Sequence, residues 1–223
     1  MTTGEWAPGK LILFELITGC FSGMPGACGL FFRRICYRML FKKMGRNVTI
    51  GKNVTLRGCS RVVLGNNVCI DDNCVIDARG SGSSIFIGEN VFIGRNTIIR
   101  SREGQLSIDA GSDIGCNCII ATDSQLKIGK YVLIAGYVYV SAGGTHRFDD
   151  PKVPIIKQGF IRKGGSIIED DVWIGAYSMV LDGVTIGRGS VIGAFSLVNH
   201  SIPPMSVAYG IPATVRRTRG GGS

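Results

Sequence analysis

The sequence predicts an all-β fold, a left-handed parallel β-helix preceded by a short helical segment. Two observations predict it. Aliphatic residues recur every six positions over most of the chain, usually followed by Gly or Asp, and the first 47 residues lack that rhythm. An amphipathic helix needs a period near 3.6 and a half-exposed strand a period of 2, so neither accounts for a period of six.

The hexads run through Leu64-Gly65, Ile70-Asp71 and Ile76-Asp77, then Ile87-Gly88, Ile93-Gly94 and Ile99. They return as Ile108-Asp109, Ile114-Gly115 and Ile120, and as Ile128-Gly129, Ile134-Ala135 and Val140. The cleanest run is Ile168, Ile174-Gly175, Val180, Ile186-Gly187, Ile192-Gly193 and Val198, where Ile168 and Ile186 stand 18 residues apart. Three short strands per turn make a triangular prism. The aliphatic residue of each hexad points inward and stacks on its counterpart in the next coil, and the small residue after it lets the backbone turn the corner. Earlier coils carry extra residues at 78–84 and 101–105.

Before the hexads, Leu11–Ile17 and Leu30–Met44 read as two helices separated by the breaker Ser22-Gly23-Met24-Pro25-Gly26. On a helical wheel Phe32, Ile35, Cys36, Met39 and Leu40 share a face, opposite a stripe of Arg34, Arg38 and Lys42. That pattern suits a cap packed on the open end of the β-helix, or an interfacial helix resting on anionic lipid. The expected organisation is therefore an N-terminal helical, basic and apolar segment at 1–47, a β-helix at 48–200 and a C-terminal tail at 201–223.

The net charge of +9 is unevenly placed. No acidic residue falls between Glu15 and Asp71, whereas Arg33, Arg34, Arg38, Lys42, Lys43, Arg46, Lys52, Arg57 and Arg61 do. Such a local field suits phosphate-bearing ligands or an anionic membrane surface. No nucleic-acid recognition motif accompanies it, so no nucleic-acid partner is expected. Eight cysteines show no paired C-x-x-C spacing and no nearby histidines, which argues against a metal site or a disulfide framework. Cys69, Cys74, Cys116 and Cys118 sit beside the hexad positions, where Cys acts as a small hydrophobe. A reducing compartment follows. With no signal-peptide pattern and no apolar run long enough to span a bilayer, a cytoplasmic location is expected, with a peripheral place at the inner face of the plasma membrane.

The rhythm breaks between Val140 and Ile167, in a loop (141–166) that carries His146, one of two histidines in the chain. A long loop leaving a rigid solenoid is where function concentrates. Acyl transfer from a thioester needs a base to take the acceptor's proton, and neutral imidazole suits that role near pH 7. Asp149 and Asp150 lie close enough in sequence to orient the ring. The bland alternative is a surface histidine in a turn.

Thr145-His146 followed by Pro154-Ile155 resembles the catalytic loop of the hexapeptide-repeat acyltransferases, in particular the sugar O-acetyltransferase branch that includes galactoside and maltose acetyltransferases. Val172–Ala176 and Gly183–Gly187 are similar to that branch's next coils. Val191–Val198, Ile202-Pro203-Pro204 and Tyr209–Ala213 are similar to its C-terminal signature. The resemblance is dense from about 128 to 217. It implies a homotrimer with active sites between subunits, acetyl-CoA as donor and His146 as base. It also implies a coenzyme groove beside Trp173, Gly175, Ala176 and Ala194, with Arg216 meeting phosphates. Tyr137 and Tyr139, preceding the loop, depart from the family pattern and become candidates for stacking on a sugar ring. The basic, apolar N-terminus resembles envelope-polysaccharide acetyltransferases acting beside the membrane, which points to a small-molecule or lipid-linked saccharide acceptor. The rivals are N-acetylation of an amino sugar or antibiotic, and a catalytically silent β-solenoid scaffold. A carbonic anhydrase of the same fold would need three histidines per zinc, and only His146 and His200 are present.

Overall fold

The computed structural model describes residues 8–220. Residues 1–7 of the expected N-terminal segment and 221–223 of the expected tail lie outside them.

The chain winds about eight turns of a left-handed parallel β-helix. Its three flat faces each collect one short strand per coil. Face A runs from Lys43–Met44 to Thr185–Ile186. Face B runs from Thr49–Ile50 to Val191–Ile192 and continues into Ser206–Gly210 and Ala213–Thr218. Face C runs from Thr55–Arg57 to Leu197–Val198. Inward hexad residues align from coil to coil: Ile108 pairs in register with Ile87 and Ile128, and Ile174 with Ile134 and Ile192. All six are buried in one continuous core. The extra residues of the earlier coils fall at the edge where face C passes to face A, so the other two edges keep a strict hexad.

Those two strict edges turn through a left-handed residue in nearly every coil. Seven of them are asparagines: Asn47, Asn53, Asn67, Asn73, Asn90, Asn96 and Asn117 all have φ between 55° and 60°. Asn tolerates that region because its short amide bonds locally. Here the amides also bond one another along the edge, Asn67 Nδ2 donating to Asn90 Oδ1 at 2.9 Å and Asn96 Nδ2 to Asn117 Oδ1 at 3.0 Å.

The carbonyls of the inward hexad residues face the preceding coil, Ile70 O accepting from Gly51 N (2.7 Å) and Ile87 O from Gly65 N (2.7 Å). The first coil has no coil before it, so its corresponding carbonyls form an open edge that needs cover. Helix α1 (Pro8–Phe21) and helix α2 (Gly26–Cys36) supply it. The expected second helix, Leu30–Met44, is corrected. The α-helix stops at Cys36, a 3-10 turn follows at Tyr37–Met39, and Lys43–Met44 is already the first solenoid strand, paired with Val63–Leu64. The expected apolar face of this helix is corrected too. Gly29 and Arg33 turn inward with Tyr37 and Leu40, while Phe32, Ile35 and Met39 are exposed. Arg33 is 2% exposed. Its Nε donates to Ile50 O (2.8 Å) and its Nη1 to Phe21 O (2.9 Å) and Met24 O (2.7 Å). One guanidinium thus satisfies an end carbonyl of the first coil, the last carbonyl of α1 and one in the turn between the helices. Its five donors on a rigid fork make Arg suited to that task.

Candidate active site

The loop expected at 141–166 leaves the C/A edge after Tyr139–Ala142 and rejoins face A at Ser166–Ile168. It is a protruding hairpin: Thr145–His146 pairs antiparallel with Phe160–Ile161, His146 directly opposite Phe160. Glycines permit both ends. At Gly144 (φ 84°) a Cβ would stand 2.5 Å from Ile161 O, and at Gly165 (φ 100°) 2.1 Å from Gln125 O. Buried Asp182 clamps the return strand, its carboxylate accepting from Lys163 N (2.7 Å) and Gly165 N (3.0 Å). Arg162 pairs with Glu103 two coils earlier (2.9 Å).

His146 is exposed on this hairpin, with its ring centroid 4.2 Å from that of Phe160. Among the described residues neither Asp149 nor Asp150 bonds to it, so the expected carboxylate partner is corrected. Asp150 is spent on the loop's own backbone: its Oδ1 accepts from Lys152 N (2.9 Å) and its carbonyl from Gln158 Nε2 (2.8 Å). Asp149 is exposed. Hairpin register places an aromatic residue against the imidazole, and sequence distance alone could not reveal that.

The residues expected to line the coenzyme groove gather at a different edge, where face B passes to face C. Trp173 projects from face B between Leu133 and Val191 and is half exposed. Ile174, Ile192 and Ala208 are in register, so Ala176 and Ala194 follow at equivalent places one coil apart. Ala176 is half-buried and Ala194 exposed. Gly175 has a packing reason to be small, since a Cβ there would lie 2.5 Å from Ala194 N. Arg216 reaches the same edge from the last strand, its guanidinium 5.2 Å above the Tyr209 ring, and the Tyr209 Cβ packs over Gly193. Small side chains beside an exposed, stacked cation fit the pantetheine and phosphates of a coenzyme thioester.

Tyr137 and Tyr139 separate. Tyr139 lies part-buried on face C opposite Met179, whereas Tyr137 stands on the B/C edge. There the asparagine ladder gives way to rings: Tyr137 stacks on Tyr177 (4.7 Å, 6°), and Tyr177 on Phe195 (5.0 Å, 5°). All three are exposed with φ of 56–62°, a conformation costing roughly 1–2 kcal/mol without an amide to relieve it. Stacking returns about 0.5–1.5 kcal/mol per pair. The sequence reading missed Tyr177, Phe195, Tyr209 and Phe160. A signal was available, because Tyr177 and Phe195 occupy the hexad position held elsewhere by Asn. Among the described residues no three His, Cys, Asp or Glu side chains gather as a metal site.

Comparison with known proteins fits this geometry. The family model for bacterial transferase hexapeptide repeats matches residues 165–200. A dTDP-4-amino-4,6-dideoxy-D-glucose acyltransferase of Escherichia coli is 30% identical over 175 residues, 78% of this chain and 81% of that enzyme. The chain belongs to the hexapeptide-repeat transferase family. Other members match over less. A probable acetyltransferase of Mycobacterium tuberculosis is 41% identical across 54% of this chain but 40% of its own length. The galactoside O-acetyltransferase of Escherichia coli is 39% identical across 45% of this chain and 48% of its own. Among solved structures, a mutant of AntD, an N-acyltransferase from Bacillus cereus, was crystallised with dTDP-4-amino-4,6-dideoxyglucose and coenzyme A. It aligns with a TM-score of 0.55 and 25% identity, over 82% of this chain and 86% of that one.

Proposed function

We propose that the chain transfers an acetyl group from acetyl-CoA to a hydroxyl of a saccharide, in envelope polysaccharide or glycolipid biosynthesis, with His146 as general base. The observation that carries this reading is the division of the chemistry between two edges of one prism. His146 projects from the C/A edge, and the small-residue strip with Arg216 occupies the B/C edge. One chain does not bring them together, but a closed ring of identical chains sets one edge of each protomer against a different edge of the next. A homotrimer, one copy per face of contact around a three-fold axis, completes each site. It also gives the exposed Phe148, Ile155 and Ile156 of the hairpin a surface to cover.

In that site Trp173, Gly175, Ala176, Ala194 and Arg216 hold the donor. When bound, acetyl-CoA supplies a thioester carbonyl with coenzyme A thiolate as the leaving group. The neutral His146 imidazole takes the proton of the acceptor hydroxyl as its oxygen bonds to that carbonyl carbon. As the tetrahedral adduct collapses, the carbon–sulfur bond breaks and the imidazolium returns its proton to the sulfur. Packing on Phe160 orients the ring. The ring ladder of Tyr137, Tyr177 and Phe195, with Tyr139 on the adjoining face, offers a platform for a sugar.

N-acetylation of an amino sugar is the second reading. The relatives matched along most of their length, the Escherichia coli enzyme and AntD, favour it. The same base serves an amine or a hydroxyl. Thiol release from acetyl-CoA, measured against sugars, amino sugars and lipid-linked saccharides, separates the two. His146→Ala is expected to lower kcat/KM by about 10²–10⁴-fold on the true acceptor while the oligomer persists. Unchanged turnover in that variant removes His146 as the base. No thiol release with any acceptor and no coenzyme binding leaves a silent solenoid.

A further inference from the structure

Of the helices that close the N-terminal end, α1 packs inward through Phe14, Ile17 and Phe21 and α2 through Gly29 and Arg33, and both leave apolar side chains outward. Ile12, Leu16, Phe31, Ile35 and Met39 are each 51–61% exposed, with Leu13, Leu30 and Phe32 beside them. So many exposed large apolar side chains on two short helices mark a contact surface. Three things on and around it say what covers it. No acidic residue lies between Glu15 and Asp71, so every charged residue within α2 and the first coil is positive, while Asp72 of the second coil accepts from Lys52 N (2.8 Å). Arg34 and Arg38 are laid along the first coil by bonds to Asn47 Oδ1 and to Gly45 O (3.2 Å). Beside the patch, a hollow of about 500 Å³ is lined by Lys10, Lys42 and Ser60 together with Leu13, Met39, Leu40 and Phe41. Two lysines among apolar side chains suit a lipid headgroup phosphate with its acyl chain beside it.

We propose that this helical end docks onto an anionic lipid bilayer: the exposed apolar side chains enter the acyl boundary, and Lys10 and Lys42 take a lipid phosphate in the hollow. Arg33 gives the contact its rigidity, because its three carbonyl bonds lock both helices to the first coil. The docking deepens the reading above and rests on its trimer in one respect. In a ring whose axis runs along the solenoids, all three N-terminal ends face the same way, so three weak contacts act together. The catalytic hairpin leaves after the fifth coil. Four coil steps of about 4.8 Å hold His146 on the order of 20 Å from the docked end. That standoff selects an acceptor whose sugar is carried outward on a lipid-linked chain over one buried in the headgroups.

The test is sedimentation of the purified full chain with phosphatidylcholine vesicles, with and without phosphatidylglycerol. Thiol release on a soluble acceptor is measured in parallel. Binding is expected only to the anionic vesicles and is expected to weaken with salt. Lys10→Gln with Lys42→Gln should weaken each protomer's contact about 25-fold, at roughly fivefold per cation near an anionic surface, and the three-contact assembly by more. Phe31→Ser with Ile35→Ser should abolish it, and Lys127→Gln with Lys130→Gln, equal in charge but mid-solenoid, should leave it intact. Soluble-acceptor turnover should persist in all of them, which separates loss of docking from loss of the catalytic reading. Equal sedimentation with neutral vesicles, no sedimentation at all, or insensitivity to the Lys10 and Lys42 substitutions overturns the proposal. A doubling of the assembly's mass that the Phe31/Ile35 variant removes would do the same, by assigning the face to a second copy.

Discussion

Gly29→Ala sets a general rule against a local one. In the body of a helix, alanine is favoured over glycine by about 1 kcal/mol, chiefly because it restricts the unfolded chain. Gly29 sits within α2 with ordinary helical geometry, so propensity alone forecasts a gain. The surroundings forecast a loss. A Cβ on residue 29 would stand 2.0 Å from Met24 O, 2.7 Å from Met24 C and 2.9 Å from Arg33 Nη1. The nearest obstacle is backbone, so the turn between α1 and α2 must move by roughly an ångström to admit it. Arg33 Nη1 now donates to that same Met24 O at 2.7 Å, and displacing the carbonyl breaks a hydrogen bond from a charged donor, worth about 1.5–3 kcal/mol. Overpacking adds about 1–3 kcal/mol. Even the smaller of each sums to about 2.5 kcal/mol against a gain of about 1, so the variant should lose at least about 1.5 kcal/mol. Urea unfolding followed by circular dichroism measures it, with hydrogen exchange of α1 and α2 showing whether the loss is confined to the docked helices. A Gly29→Ala protein as stable as the parent, with unchanged exchange in both helices, refutes the packing described for Arg33.

Two further outcomes follow from buried groups. Burial pushes the Cys74 thiol from 9.0 up to about 11 and the Cys59 thiol up to about 12. Folding thus favours the protonated thiol, so this stability is complete below pH 9 and is lost as pH rises through 9 to 12. A falling urea midpoint above about pH 9, flattened in Cys74→Ala, is expected, and a midpoint indifferent to that substitution would contradict it. At neutral pH a thiol reagent should modify exposed Cys20 and Cys28 and spare Cys59, Cys74 and Cys118. Asp182→Asn turns one of the two clamp acceptors into a donor facing either Lys163 N or Gly165 N, at a cost of about 1–3 kcal/mol. Amide exchange in residues 143–165 should speed up and acetyl transfer slow. Unchanged exchange would show that the glycines and the Arg162–Glu103 pair hold the hairpin unaided.

The solenoid was legible in the sequence because its information is local. Every sixth residue faces a dry interior, and only aliphatic side chains satisfy that position, so Ile174, Ile186 and Ile192 announce the coil without any knowledge of their neighbours. The break in that period exposed the loop and His146 for the same reason. The second helix was misread because its wheel was scored by hydrophobicity alone. Close backbone approach requires Gly29, and three carbonyls, one each from the first coil, the end of α1 and the turn between the helices, require Arg33, so a guanidinium is buried and the helix's phenylalanines are not. The Asp149 expectation failed on hairpin register, since pairing Thr145–His146 with Phe160–Ile161 sends the turn's carboxylates elsewhere. The Tyr137, Tyr177 and Phe195 ladder joins residues 18 and 40 positions apart. By itself, then, the sequence determined the coil, its core and the loop that interrupts it, because a repeating burial requirement is written in each hexad. Only the tertiary structure decided which edge each functional residue occupies and which way the N-terminal helices face. Those depend on how coils stack and what their open ends need, and no single segment of chain encodes that.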